Sequence, residues 1–213
     1  MKFRDLLLLI GDEPVFTTDA LLAGGVSPAV VRLQLSRWAR QGKVIPLRRG
    51  LYALASPYRR VQPHPFLVAN YLQRPSYVSL QSALAHYGLI PEFTPVVTSI
   101  TTGRPRRRQT PLGQFDFRHI KKSFWFGFRW TPLNQAQAAF VATPEKALLD
   151  LIYLQPGGDS PDYLRELRLQ HLGTLRWERL VAYVERMATP KLWRALRHLQ
   201  HLYRIEEEMY EPL

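Results

Sequence analysis

Apolar and polar positions change rhythm several times along this chain, and each change marks a different kind of element. Residues 2–10 pass from a polar start into the run Leu6 to Ile10 and read as a short helix. After Pro14, the residues Thr17, Thr18 and Asp19 offer N-caps for a second helix over residues 20–23, closed by Gly24 and Gly25. Ser27 caps a third helix, with Pro28 at its first position, where the missing N–H would have been unpaired anyway. Within it Val31, Leu35 and Trp38 recur at i, i+4 and i+7 as one buried stripe, and Gly42 ends it. Two β-rich runs, residues 43–47 and 51–54, then flank Arg48, Arg49 and Gly50 and read as a hairpin. Helix, helix, turn, helix, hairpin is the order of a winged helix-turn-helix, which is assigned to residues 1–57.

Pro57, Pro63 and Pro65, with Arg59 and Arg60 among them, mark a linker over residues 58–65. Residues 66–213 form a second domain. A short helix covers residues 66–72, and a helix capped by Ser79 and ending at Gly88 carries Leu80, Ala83, Leu84 and Tyr87 at helical spacing. Apolar alternation predicts strands over residues 96–102, 114–120, 125–130 and 138–142. Thr143 with Pro144 starts a helix that runs to Leu154, and three more open at Ser160, near Thr174, and at Thr189. The predicted class is α+β: an N-terminal winged helix-turn-helix, then a domain with a small, mostly antiparallel sheet and several helices.

Composition narrows the chemistry. A chain of 213 residues has room for one large domain or two small ones, and the absence of cysteine excludes disulfides, zinc ribbons and thiol nucleophiles. The 29 Lys and Arg outnumber the 17 Asp and Glu, a net +12 that points to a polyanionic partner, most commonly nucleic acid. The distribution says more than the total. Between Ala20 and Pro91 there is no carboxylate, while Arg32, Arg37, Arg40, Lys43, Arg48, Arg49, Arg59, Arg60 and Arg74 fall there; the end reverses sign with Glu206, Glu207, Glu208 and Glu211. Asp12, Glu13 and Pro14 cut the apolar run at residues 6–10 too soon for an export signal or for a span of ~20 residues. The expectation is a cytoplasmic protein with no membrane contact.

Placed on the predicted elements, these charges define a candidate DNA-binding surface. With the Val31 stripe inward, Ala29, Arg32, Leu33, Ser36 and Arg40 face outward, with Arg37 on their flank and Ser27 at the helix start. Such a face suits a major groove, Arg32 by a bidentate contact to guanine and Leu33 by touching a thymine methyl. Arg37, Arg40 and Lys43 lie nearer the phosphates, and Arg48 and Arg49 at the hairpin tip are aimed at phosphate or a minor groove. Arg104, Arg106, Arg107 and Arg108, read as a hairpin loop between strands, form the densest cationic cluster. They are either solvated or hold more DNA, an RNA or an acidic protein face.

Other constellations are weaker. Glu145, Lys146 and Asp150 suggest the acidic metal site of a nuclease. Helix chemistry explains them more plainly: Glu145 complements the helix dipole in the first turn, and Lys146 and Asp150 form a surface i,i+4 pair worth ~0.3 kcal/mol. His198 and His201 lack a third ligand on their helix face. With no phosphate-cradling glycine loop and no nucleophile triad, no catalytic residue, metal or cofactor is assigned.

The strings "PLRRGLYAL", "SYVSLQSALAHYGLIP", "TSITTGRPRRRQTPLGQFDFRHI", "FWFGF" and above all "ATPEKALLDLIYL", in that order, resemble the AbiEi family of type IV antitoxins. The resemblance covers nearly the whole chain and weakens after about residue 170. It implies an N-terminal winged helix that binds inverted repeats in its own promoter. It also implies an antitoxin domain over residues 66–213 that counteracts a co-expressed nucleotidyltransferase-like toxin. The expected function is that of a non-enzymatic autorepressor and antitoxin; the alternatives are a solitary winged-helix regulator with a sensor domain and a metal-dependent nuclease using Glu145, Lys146 and Asp150.

Overall fold

The computed structural model describes residues 1–22, 27–92 and 94–210. At the N-terminus, helix α1 (Phe3–Ile10) and helix α2 (Pro28–Arg40) bring Leu6, Ile10, Val31, Leu35 and Trp38 into one small core. Ring contacts close its rim, with Phe3 edge-on to Trp38 at 5.4 Å and to Tyr58 at 4.8 Å. The predicted helix over residues 20–23 is replaced, as far as it is described, by a single 3₁₀ turn at Asp19–Leu21. Four residues before a glycine pair are too few to offset helix nucleation. Ala23, Gly24 and Gly25 lie outside the described residues. Just before the turn, strand β1 (Phe16–Thr17) pairs with strand β3 (Leu51–Leu54), which pairs in turn with strand β2 (Val44–Arg48), all antiparallel. Ser27 stands at the N-cap of α2 without making a side-chain capping bond, so Pro28 is the stronger start signal there.

The hairpin β2–β3 is apolar on both faces. Val44 and Leu54 belong to the small core, while Leu47, Leu51 and Ala53, together with Val15, pack into the larger core of the rest of the chain. Strand alternation sorts the two sets. The segment expected as a linker is also tied down: Gln137 Nε2 donates to Gln62 O at 2.9 Å, and Gln137 Oε1 accepts from His64 N at 2.8 Å.

The second region opens with helix α3 (Pro65–Leu72), strand β4 (Tyr77–Val78) and helix α4 (Leu80–His86). Strands β5 (Val96–Thr101), β6 (Arg106–Thr110), β7 (Gly113–His119), β8 (Phe128–Pro132) and β9 (Ala138–Ala142) follow. Helices α5 (Pro144–Leu154), α6 (Pro161–Glu166), α7 (Trp177–Met187) and α8 (Pro190–Tyr210) complete the described chain. The fold is α+β. Its second sheet has the order β6-β7-β5-β4-β9-β8, parallel at β7–β5 and β4–β9 and antiparallel elsewhere.

Two of these six strands escape apolar alternation. β4 is only two residues long, and β6 is the arginine cluster itself, so the expected loop at Arg106, Arg107 and Arg108 is corrected to an edge strand. Charged side chains are the usual means of blunting an edge against further pairing. The strand expected over residues 125–130 begins only at Phe128. Gly127 before it has φ +75°, and a Cβ there would sit 2.9 Å from Lys146 Cγ. That glycine lets the chain pass over the stem of Lys146. Helix α5 is enclosed on every side, with all residues from Glu145 to Ile152 buried, and Thr143 Oγ1 caps it by accepting from Lys146 N.

Candidate nucleic-acid interface

On α2 the buried stripe leaves Ala29, Arg32, Leu33, Ser36, Arg37 and Arg40 exposed, with Ser27 exposed just ahead of them. Leu33 is 50% exposed, an apolar side chain left in water on the same exposed face of the helix as Arg37 and Arg40. Among the described residues none of Arg32, Arg37 and Arg40 is in an ion pair. Lys43 stays near the N-terminal core, its Nζ 5.1 Å from the centre of the Phe3 ring.

Arg48 and Arg49 meet other arginines. A groove of about 630 Å³ is lined by Arg48 and Arg49 from the hairpin, Arg74 after α3, and Arg104, Arg106 and Arg108 on and before β6. No carboxylate is among its lining residues. Arg48 is aimed by the backbone, with Nε and Nη2 donating to Tyr71 O at 3.2 and 3.1 Å and Nη1 donating to Arg49 O at 3.1 Å. Burial, then the charges of Arg74 and Arg108, hold its pKa below the ordinary arginine value. The segment carrying Arg104 is equally fixed: Gln73 Nε2 donates to Arg104 O at 3.0 Å, and Gly103 N donates to Thr101 Oγ1 at 3.1 Å. Alternation along β6 puts Arg106 and Arg108 on one face and Arg107 on the other, where it faces Asp116 with 3.7 Å between Nε and Oδ1.

Six arginines that line one groove without a carboxylate repel one another, and an anion with repeated phosphates relieves that repulsion. The folded chain therefore unites two cationic sets that lie far apart in sequence. It also adds Arg74, which the acid-free stretch contained but which no local motif singled out, and it removes Arg107 from the set.

Glu145, Lys146 and Asp150 are placed otherwise. All are buried, at 1%, 0% and 0% exposure, which corrects the expected surface pair. Lys146 Nζ pairs with Asp150 Oδ1 and donates to Tyr77 Oη at 3.1 Å; Asp150 Oδ2 accepts from Tyr77 Oη and from Ser79 Oγ, both at 2.9 Å. Ser79 therefore spends its hydroxyl on Asp150 and does not cap α4. Burial raises the Asp150 pKa and lowers that of Lys146, against their mutual attraction; burial also raises that of Tyr77, with the Asp150 charge and hydrogen bond adding to it. Glu145 turns toward α7 instead, accepting from Arg176 N at 2.9 Å and facing Arg179 at 3.5 Å. The two carboxylates thus serve different elements, and no group of three metal-ligating side chains occurs among the described residues.

At the acidic end, Glu206 accepts from Leu172 N at 2.8 Å, so one tail carboxylate serves the chain's own backbone. No helix among the described residues is long and apolar enough to cross a membrane. Compared with known proteins, the sequence matches no family model and no curated protein.

Proposed function

We propose that the chain is a DNA-binding autorepressor that also acts as an antitoxin. In this reading residues 1–57 are a winged helix-turn-helix in which α2 enters the major groove and the β2–β3 hairpin is the wing. Arg32 and Leu33 read bases, Arg37 and Arg40 hold phosphates, and the arginine groove carries the backbone beyond the wing. One observation above all supports it: the hairpin arginines and the β6 arginines line a single groove without a carboxylate. The antitoxin half rests on the resemblance of the ordered sequence strings to AbiEi antitoxins. It names a nucleotidyltransferase-like toxin as the protein partner and assigns no catalysis to this chain.

The test has two arms. Binding of the full chain to its own upstream DNA and to a scrambled duplex is measured by fluorescence anisotropy for wild type and Arg32→Ala. A loss of ~1–3 kcal/mol on the cognate duplex, with little change on the scrambled one, is expected of a base contact. Equal losses on both would return Arg32 to the phosphate backbone. Separately, cells expressing the toxin are scored for growth when the full chain is supplied from an unrelated promoter. Absence of rescue by a soluble chain that binds its operator would leave a solitary regulator.

A further inference from the structure

Next to the arginine groove lies a cavity of about 710 Å³ whose wall is aromatic: Tyr71 from α3, Trp125, Phe128 and Trp130 from the β8 region, and Phe140 from β9. Its size is within the roughly 300–1,000 Å³ of small-ligand sites. Trp130 and Phe140, cross-strand partners in register, are 58% and 42% exposed, a large apolar area to leave in water. They meet edge to face at 4.9 Å, and Phe128 meets Phe140 the same way at 6.0 Å, so the wall is one connected set of rings.

The wall is rigid from behind. Phe128 stacks on Tyr77 at 4.5 Å and 12°, and Tyr77 is fixed by its bonds to Asp150 and Lys146. The floor offers little hydrogen-bond readout, because Asn70 is already committed: its Oδ1 accepts from Phe140 N at 2.6 Å, and its Nδ2 donates to Ser76 O at 3.4 Å, bridging the gap where β4 is too short to pair. Arg74 stands at the junction. It lines both the cavity and the arginine groove, and its guanidinium lies 4.2 Å from the centre of the Tyr71 ring.

We infer that this cavity takes an unpaired nucleobase of a single-stranded nucleic acid, with the flanking phosphates carried by Arg74 and the arginine groove. Flat faces without edge readout suit any base, so the site stacks and does not discriminate sequence. Charge complementarity decides for a nucleotide over a neutral apolar ligand. The inference goes beyond the duplex reading above and does not depend on operator binding.

The test uses the full chain and three end-labelled probes of equal length: oligothymidylate, oligouridylate and an abasic strand with the same number of phosphates. Anisotropy titrations are expected to give about tenfold tighter binding to the base-bearing strands than to the abasic one, since each stacked base adds such a factor. Trp130→Ala and Phe140→Ala, both at exposed positions, should collapse that ratio toward unity while leaving abasic binding unchanged; Arg74→Ala should weaken all three. Preference between oligothymidylate and oligouridylate separates DNA from RNA as the source. Equal affinity for base-bearing and abasic strands, a ratio untouched by both aromatic substitutions, or no binding of any strand would each overturn the inference. Loss of cognate-duplex binding with the ratio intact would defeat the promoter reading alone.

Discussion

The chain gathers charge in two places and treats it in opposite ways. Around Asp150 every polar atom of the cluster has a partner within the protein: one lysine, one tyrosine and one serine converge on one carboxylate, out of reach of water. Across the groove between the hairpin and β6, six arginines line one space with no carboxylate among the lining residues. A closed cluster stabilises or specifies the fold, because its charges are satisfied only in that arrangement. An open cluster of one sign works against folding, and under the proposed reading the phosphates it binds offset that cost. The difference separates satisfied charge from open charge better than local sequence does, since "PEKALLD" looks like a site and "RPRRRQT" like a loop.

The largest effect should come from opening the closed cluster. Lys146→Ala leaves Asp150 buried without its cation, and breaking such a pair costs about 3–5 kcal/mol. Urea denaturation followed by circular dichroism measures it. The double change Lys146→Met with Asp150→Leu should recover much of the loss, because removing both charges also removes the desolvation penalty. A double variant no more stable than Lys146→Ala would mean that the bonds to Tyr77 and Ser79 matter more than the charges.

Opening the other side of the comparison should leave stability nearly alone and change binding. If Arg49, Arg104, Arg106 and Arg108 each hold a phosphate, replacing all four with alanine flattens the log-log dependence of duplex affinity on salt by roughly 3.6. Thermal denaturation of the same variant should match or exceed wild type, since like charges have been removed. An unchanged slope would take the groove out of the DNA-binding model.

Sequence made much of this legible and hid a definite remainder. The helix signals worked where caps are local: Pro28, Thr143 and Ser160 all stand at real helix starts, and the Val31, Leu35, Trp38 stripe is buried. Apolar alternation fails where a strand is very short or lies charged at an edge, which is why β4 and β6 were invisible. The i,i+4 spacing of Lys146 and Asp150 is the same on a surface helix and on one enclosed by neighbours, so only tertiary packing distinguishes them. Convergence is equally non-local. Arg48 and Arg108 lie on different elements, and what joins them is Arg48's bond to Tyr71 O and the pairing of β6 with β7.

A finer contrast lies within β6. Arg106 lines the groove, whereas Arg107 faces Asp116, so Arg106→Ala should flatten the salt slope by about 0.9 and Arg107→Ala by much less. Both residues are exposed, so neither change should alter folding. Equal slopes for the two variants would show that the duplex reads the net charge of the strand and not the face that its side chains occupy.

The smallest effect concerns the helix that anchors the groove. α3 supplies the Tyr71 carbonyl that orients Arg48, and its N-cap is His64, whose Nδ1 accepts from Phe66 N at 3.2 Å. That bond needs the neutral ring. Burial, then the nearby His86, lowers the His64 pKa below 6.5, and burial lowers that of His86. A histidine with a lowered folded pKa binds fewer protons folded than unfolded. Its stability contribution is complete above the unfolded value of 6.5, declines as pH falls below it, and levels off once pH is below the folded value. Thermal midpoints should therefore drop as pH falls from neutrality to below 6.5, by a few degrees for a cap worth ~1 kcal/mol. His64→Asn keeps a capping acceptor without titrating, so it should flatten that drop and leave only the part due to His86. A pH profile identical to wild type would mean that His64 caps α3 in name only, and that Tyr71 and Arg48 are held by the packing of α3 and not by its first turn.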